Sequence, residues 1–111
     1  MKEARRMTDS VEYQIFIGCR DPQLAEEIFN KKEMTDLISA YFERIQMDFS
    51  LSVIKGGYYY ENGWFDTENT LCISIIGDAE MEILRIAGTI SMFLNQECSL
   101  VVKNPLKIKI M

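Results

Sequence analysis

The chain has 111 residues, 48% of them hydrophobic and 26% charged, with a formal net charge of −5 and no histidine. That length supports one domain with a real core, and the acidic balance argues against a nucleic-acid binder, which needs a basic face. Without histidine, and with Cys19, Cys72 and Cys98 at wide spacing, the usual zinc sites and Ser-His or Cys-His catalysis are excluded.

Residues 1–10 read as a flexible polar arm, and residues 11–111 as a single domain. No apolar run follows the charged opening, and none approaches the roughly 20 residues of a membrane span. Neither leader nor membrane contact is expected, and the location expected is cytoplasmic, in a bacterium or a phage-infected cell. The three cysteines should be reduced thiols packed as small hydrophobes.

Val11, Tyr13, Ile15 and Ile17 alternate with Glu12, Gln14 and Phe16, the period-two pattern of a strand. Phe16 on the second face marks that strand as central. Gly18 closes it, and Cys19-Arg20-Asp21-Pro22 begins a loop. Asp21 as cap with Pro22 in the first turn predicts a short helical turn over residues 23–29.

Asn30, followed three residues later by Glu33, forms a capping-box pattern. Met34, Leu37, Ile38, Tyr41, Phe42 and Ile45 then line one face of a helix over residues 31–47. Residues 49–60 and 64–77 read as two long strands joined across Glu61, Asn62 and Gly63, since Asn-Gly between apolar runs is a strong hairpin signal. Gly56 and Gly57 predict a bulge or a close backbone approach, and the polar stretch Asp66 to Thr70 another bulge.

Gly77 and Asp78 open a second helix over residues 79–95, with Ile83, Ile86, Ala87, Ile90 and Leu94 as its buried stripe. Gly88 predicts close helix–sheet contact, and Asn95 a left-handed end. Residues 97–102 read as a strand. In the tail, Leu106, Ile108 and Ile110 alternate with Lys107 and Lys109, which suggests a short fifth strand completed on a neighbouring subunit.

Strand, helix, strand, strand, helix, strand is the order of a ferredoxin-like βαββαβ sandwich, an antiparallel sheet with two helices on one face. The other face would present Phe16, Ser74 and Ile76 beside several aromatics. A half-apolar open face on a small domain predicts a homo-oligomer.

Four pieces, Ile15-Phe16-Ile17-Gly18, Gly57-Tyr58-Tyr59, Glu68-Asn69-Thr70-Leu71 and Asn95-Gln96-Glu97-Cys98-Ser99-Leu100, occur in this order along the chain. In that order they resemble the motifs of a family of small uncharacterised bacterial and phage proteins, a domain of unknown function ending in [FN]-Q-E-S-x-L. Cys98 stands where that family usually has serine. The resemblance implies the same fold and a phage or prophage origin, and brings no activity with it.

The candidate binding residues are Tyr58, Tyr60 and Trp64 on the hairpin, with Glu68, Gln96 and Glu97 expected to approach them at one sheet edge. Carboxylates beside a carboxamide and aromatics suit a small polar ligand or acid–base work. The plainer alternative has Gln96 and Glu97 pinning a helix end and a strand start through backbone hydrogen bonds, and the tyrosines acting as cross-strand pairs. The expectation is a small oligomeric, non-catalytic binding module, phage-encoded and acting on a host protein or host nucleotide signal. No cofactor, no metal and no catalytic residue are expected. The alternative is a small-molecule enzyme of the dimeric ferredoxin-like type with Glu68 or Glu97 as base.

Overall fold

The structure is a computed structural model that describes residues 8–21, 26–27, 29–59, 61–77, 79–96 and 99–109. Along the chain come β1 (Thr8–Gly18), β2 (Arg20–Asp21), β3 (Glu26–Glu27), α1 (Lys31–Ile45), β4 (Ser50–Tyr59), β5 (Phe65–Ile76), α2 (Glu80–Phe93) and β6 (Leu100–Ile108). The large sheet has the order β4-β5-β1-β6 with every pair antiparallel. This is the ferredoxin-like sandwich expected, with β1 and β5 in the middle.

Register fixes the faces, because directly paired residues share one side of a sheet. Tyr13, Ile15 and Ile17 of β1 pair with Ile75, Ile73 and Leu71 of β5. All six are buried in one cluster with Met34, Ile38 and Phe42 of α1 and Ile83, Ile86 and Ile90 of α2. Both helices therefore lie on this face. They meet through an edge contact between Tyr41 and Phe93, with ring centroids 5.7 Å apart. Phe42 stacks on Phe49, just before β4, at 4.5 Å. Removing a large aliphatic side chain of this kind from water is worth about 1.5–3 kcal/mol, so burial, and not surface ion pairing, holds the two layers together.

The capping box at α1 forms as read. The Glu33 N–H donates to Asn30 Oδ1 at 2.8 Å, and the Asn30 N–H donates to Glu33 Oε1 at 3.0 Å. Between Tyr59 and Phe65 the chain reverses with Gly63 at φ 86°, while the Asn62 side chain accepts from the Trp64 N–H at 3.0 Å. Asn62 thus serves the turn through its carboxamide.

Several expectations are corrected. Residues 26–27 form β3, paired with β2, where a helical turn was expected. No bulge interrupts β4–β5, since the register runs unbroken from Ser50↔Ser74 to Tyr59↔Phe65. Gly57 instead makes room for the Phe65 ring, which a Cβ there would meet at 2.7 Å. Gly88 faces open space, with nothing within 4 Å of where its Cβ would be, so it mediates no helix–sheet contact. β6 runs through Pro105 to Ile108 as one strand, and its tail pairs with the first residues of its own β1, Thr8 to Val11. β1 starts at Thr8, so part of the expected arm belongs to the sheet. The expected cap Asp78 lies outside the described residues; α2 starts from Ala79, without a side-chain capping bond.

Candidate functional site

The site forms where β1 leaves the sheet. The ladder continues one residue past Gly18, with the Cys19 N–H donating to the Asn69 carbonyl at 3.0 Å, which carries Arg20 alongside Glu68. Glu68 Oε2 accepts from the Arg20 N–H at 3.2 Å. Its Oε1 lies over Gly18, 2.9 Å from where a Cβ would sit, so only glycine leaves the carboxylate its place. The Arg20 guanidinium donates to Asp66 and, at 2.7 Å, to the Thr67 carbonyl. From the far side Gln96 Nε2 donates to the Arg20 carbonyl at 2.6 Å.

Alternation places Asp66, Glu68 and Thr70 on the face away from the helices, in line with Cys72 and Ser74. The next rows of that face hold Phe16, Cys72 and Leu100, then Gln14, Ser74 and Val102. Ser74 and Asn104 both donate to Glu12, at 2.7 and 3.5 Å. The result is a carboxylate resting over Gly18 at the head of an open, partly apolar surface.

Electrostatics separate the acidic groups. The hydrogen bond from the Arg20 guanidinium, helped by the Thr67 N–H, holds the Asp66 carboxyl below the usual carboxylate range. Asp66 is thus committed to an ion pair. On the helix side, Glu27 accepts from the Asn69 N–H and side-chain amide at 3.1 and 3.0 Å. Cys19, whose sulfur is 3.4 Å from that of Met34, has its thiol pushed up to about 11, first by burial and then by the Glu27 charge. Such a thiol stays protonated at neutral pH and is no nucleophile. Glu68 differs from both. Among the described residues the hydrogen-bond donor to it is the Arg20 N–H on Oε2, and alternation puts the side chain on the uncovered face, over Gly18. It is placed to accept a proton or to face a cation.

Of the residues singled out in the sequence, Glu68 and Gln96 come together, each on one end of the Arg20 main chain. Trp64 does not join them; it is exposed in the hairpin turn. Phe65, where β5 begins, is already about 10 Å from Glu68 along the strand. Tyr58 pairs with Asp66 in the register, and its side chain lies outside what is described, as do Tyr60 and Glu97. Tyr59 is the described tyrosine of the run, packed on its cross-strand partner Phe65 at 4.9 Å. Sequence reading missed Arg20, Asp66, Glu27 and Asn69. A signal existed in Asp66 and Glu68, two apart on a strand and hence on one face, which implies a nearby cation. Nothing local named Arg20 as that cation.

Among the described residues no group suited to hold a metal ion is found, and no helix is long and apolar enough to cross a membrane. No protein-family model matches the chain, and no curated protein matches it. Among solved structures it is similar to a phage SAM lyase in the apo state, at 19% identity and TM-score 0.61, over 91% of this chain and 90% of that one. It is similar also to a phage SAM lyase in complex with S-methyl-5'-thioadenosine, at 20% identity and TM-score 0.58, over 90% and 89%. CutA from Synechococcus elongatus PCC7942 follows at 14% identity and TM-score 0.48, over 94% and 80%. The expectations of a non-catalytic binding module, and of a chain that is no enzyme, are thereby corrected. The fold is shared with the lyases over about nine-tenths of both chains, and in them it carries enzyme chemistry.

Proposed function

We propose that this protein is a small-molecule lyase acting on an adenosine-bearing sulfonium of the S-adenosylmethionine class, with Glu68 as the carboxylate at the reacting centre. The observation that carries the reading is the placement of Glu68, half-buried on the open face beside an apolar row. The overlay with lyases of the same fold supports the substrate class. A sulfonium carries its own leaving group, so the reaction asks of the protein binding, orientation and a suitably placed negative charge.

The electron pair of the breaking carbon–sulfur bond goes to sulfur, which leaves as the neutral thioether S-methyl-5'-thioadenosine. The four-carbon fragment completes its valence in one of two ways. Either its own carboxylate oxygen closes onto the carbon that sulfur leaves, or Glu68 takes a proton from the adjacent carbon and an alkene forms. Phe16, Leu100 and Cys72 offer the apolar floor on which a nucleoside would lie. A second copy of the chain covering Ile54, Ile76 and Leu100, all exposed here, would close the site from solvent. A phage or prophage origin, which the resemblance to a family of small bacterial and phage proteins implies, fits this reading.

The test is incubation of the purified protein with S-adenosylmethionine, with thioether and four-carbon product followed by mass spectrometry. Formation of the thioether is expected, with kcat reduced at least about 100-fold in Glu68→Gln, the scale of a lost proton-transfer or charge-stabilising group. A lactone identifies ring closure, and an alkene identifies elimination, in which loss of turnover in Glu68→Gln points to Glu68 as base. Absence of turnover together with absence of calorimetric binding to substrate and thioether sinks the reading.

A further inference from the structure

We propose that Gln96 is a positioning residue for Glu68, acting through the main chain of Arg20; the inference rests on Glu68 being the carboxylate of the reaction proposed above. The argument starts at the end of α2. Asn95 takes a left-handed conformation with φ 52°, the Asn95 N–H returns to the Met92 carbonyl at 3.1 Å, and the Gln96 N–H returns to the Ser91 carbonyl at 2.8 Å. This paired closure is a Schellman motif, which fixes the direction in which the chain, and Gln96 with it, leaves the helix.

From that anchor Gln96 Nε2 reaches the Arg20 carbonyl at 2.6 Å and the Leu94 carbonyl at 3.3 Å. The bond to Arg20 is short and firm. The one it supports is not: 3.2 Å from the Arg20 N–H to Glu68 is long for a bond to a carboxylate, which is usually nearer 2.7–2.9 Å. A shift of a few tenths of an ångström in Arg20 would therefore weaken its hold on Glu68. The guanidinium contacts to Asp66 and Thr67 tie Arg20 to β5 but come from the same strand as Glu68. The β2–β3 pairing with Glu27 holds the Arg20 main chain from one side, and Gln96 adds a bond from the helix layer that helps set how that main chain is turned toward the carboxylate.

The experiment compares wild type, Gln96→Met, which keeps the side-chain length and removes the donor, and Gln96→Lys, which restores a donor of similar reach. Turnover of S-adenosylmethionine is measured beside hydrogen exchange of individual amides. Gln96→Met should lower kcat about tenfold, the scale of a modest misplacement of a reacting group, with KM changed less than about twofold. Its Arg20 amide should exchange faster while the Cys19 amide, bonded to Asn69, keeps its rate. Gln96→Lys should restore both. If Gln96→Met does not fold, Gln96→Glu, isosteric and an acceptor, carries the same expectation. A folded variant with unchanged kcat and unchanged Arg20 exchange overturns the inference. Wild type without turnover sinks the lyase reading instead, and the exchange arm still decides whether Gln96 sets Arg20.

Discussion

β5 is one strand with two regimes. Its second half, Leu71, Ile73 and Ile75, is held by burial, at 0%, 0% and 4% exposure. Its first half, Asp66 to Asn69, keeps its ladder to β4, but beyond Gly18 its other edge is held by polar bonds to Arg20 and Glu27 from the chain before α1. The core half can bear load because many dispersion contacts share it. The free edge of the polar half depends on a few directed bonds, so it can be tuned one residue at a time, which is what a reacting carboxylate requires.

The sharpest way to break this comparison is to cut each half. Ile73→Ala should destabilise by about 2–5 kcal/mol, read from the denaturant midpoint. Asn69→Ala, which removes the side-chain bond to Glu27 and leaves the backbone one, should cost about 1 kcal/mol. If the two cost the same, the halves are not held differently.

Gly18→Ala comes next. The added methyl meets Glu68 Oε1 at 2.9 Å, so the carboxylate must swing off the Arg20 N–H. A loss of about 1–2 kcal/mol is expected for the bond left unmade, with turnover falling more than stability does. A Gly18→Ala protein with wild-type turnover would separate Glu68 from the reaction.

How much of this was legible follows the same division. The strands and helices of the core could be read because burial leaves a local period: alternate residues in β1, every third or fourth in α1. The capping box of Asn30 and Glu33 was readable for the same reason, its partners being three residues apart. The site was readable only in part. Glu68 and Gln96 stood out as polar residues at strand and helix ends, whereas Arg20 meets Glu68 across 48 residues of sequence and Gln96 across 76. No local pattern records such a meeting. The Gly56-Gly57 pair misled because a glycine that admits a neighbouring ring, as Gly57 does, reads the same as one that makes a bulge. The tail misled because its apolar–lysine alternation reads the same in a separate short strand as in the end of β6, which runs on through Pro105, a residue tolerated on an edge strand.

A smaller effect tests the ion pair in the polar half. The folded-state pKa of Asp66 is depressed by Arg20, so the stability this gives is fully present above the ordinary carboxylate range. It is lost as pH falls through the depressed folded value. Wild type should therefore lose stability more steeply than Asp66→Asn below about pH 4, and the two curves should run parallel above about pH 5. The difference will be modest, because the pair is partly exposed and screened by salt. Parallel curves throughout would mean that Asp66 and Arg20 do not hold each other in solution.

The smallest expected effect lies outside both halves of β5, on the outer side of α2. Gly88 is exposed, and no atom would touch its Cβ. Alanine there restricts the unfolded chain and suits a helix better, so Gly88→Ala should stabilise by about 0.4–1 kcal/mol. Thermal melting should report this as a rise of several degrees, given about 4–8 °C per kcal/mol in a domain of this size. Leu84 and Met92 stand four residues to either side of Gly88, exposed at 48% and 79%, so the three form one line along the helix. If that line faces solvent, alanine can only help. A destabilised Gly88→Ala, or one whose mass in solution falls, would mean that another surface lies against α2 and that the glycine makes room for it. The same measurement therefore weighs the helix layer as a second contact surface against the open sheet face beside Glu68.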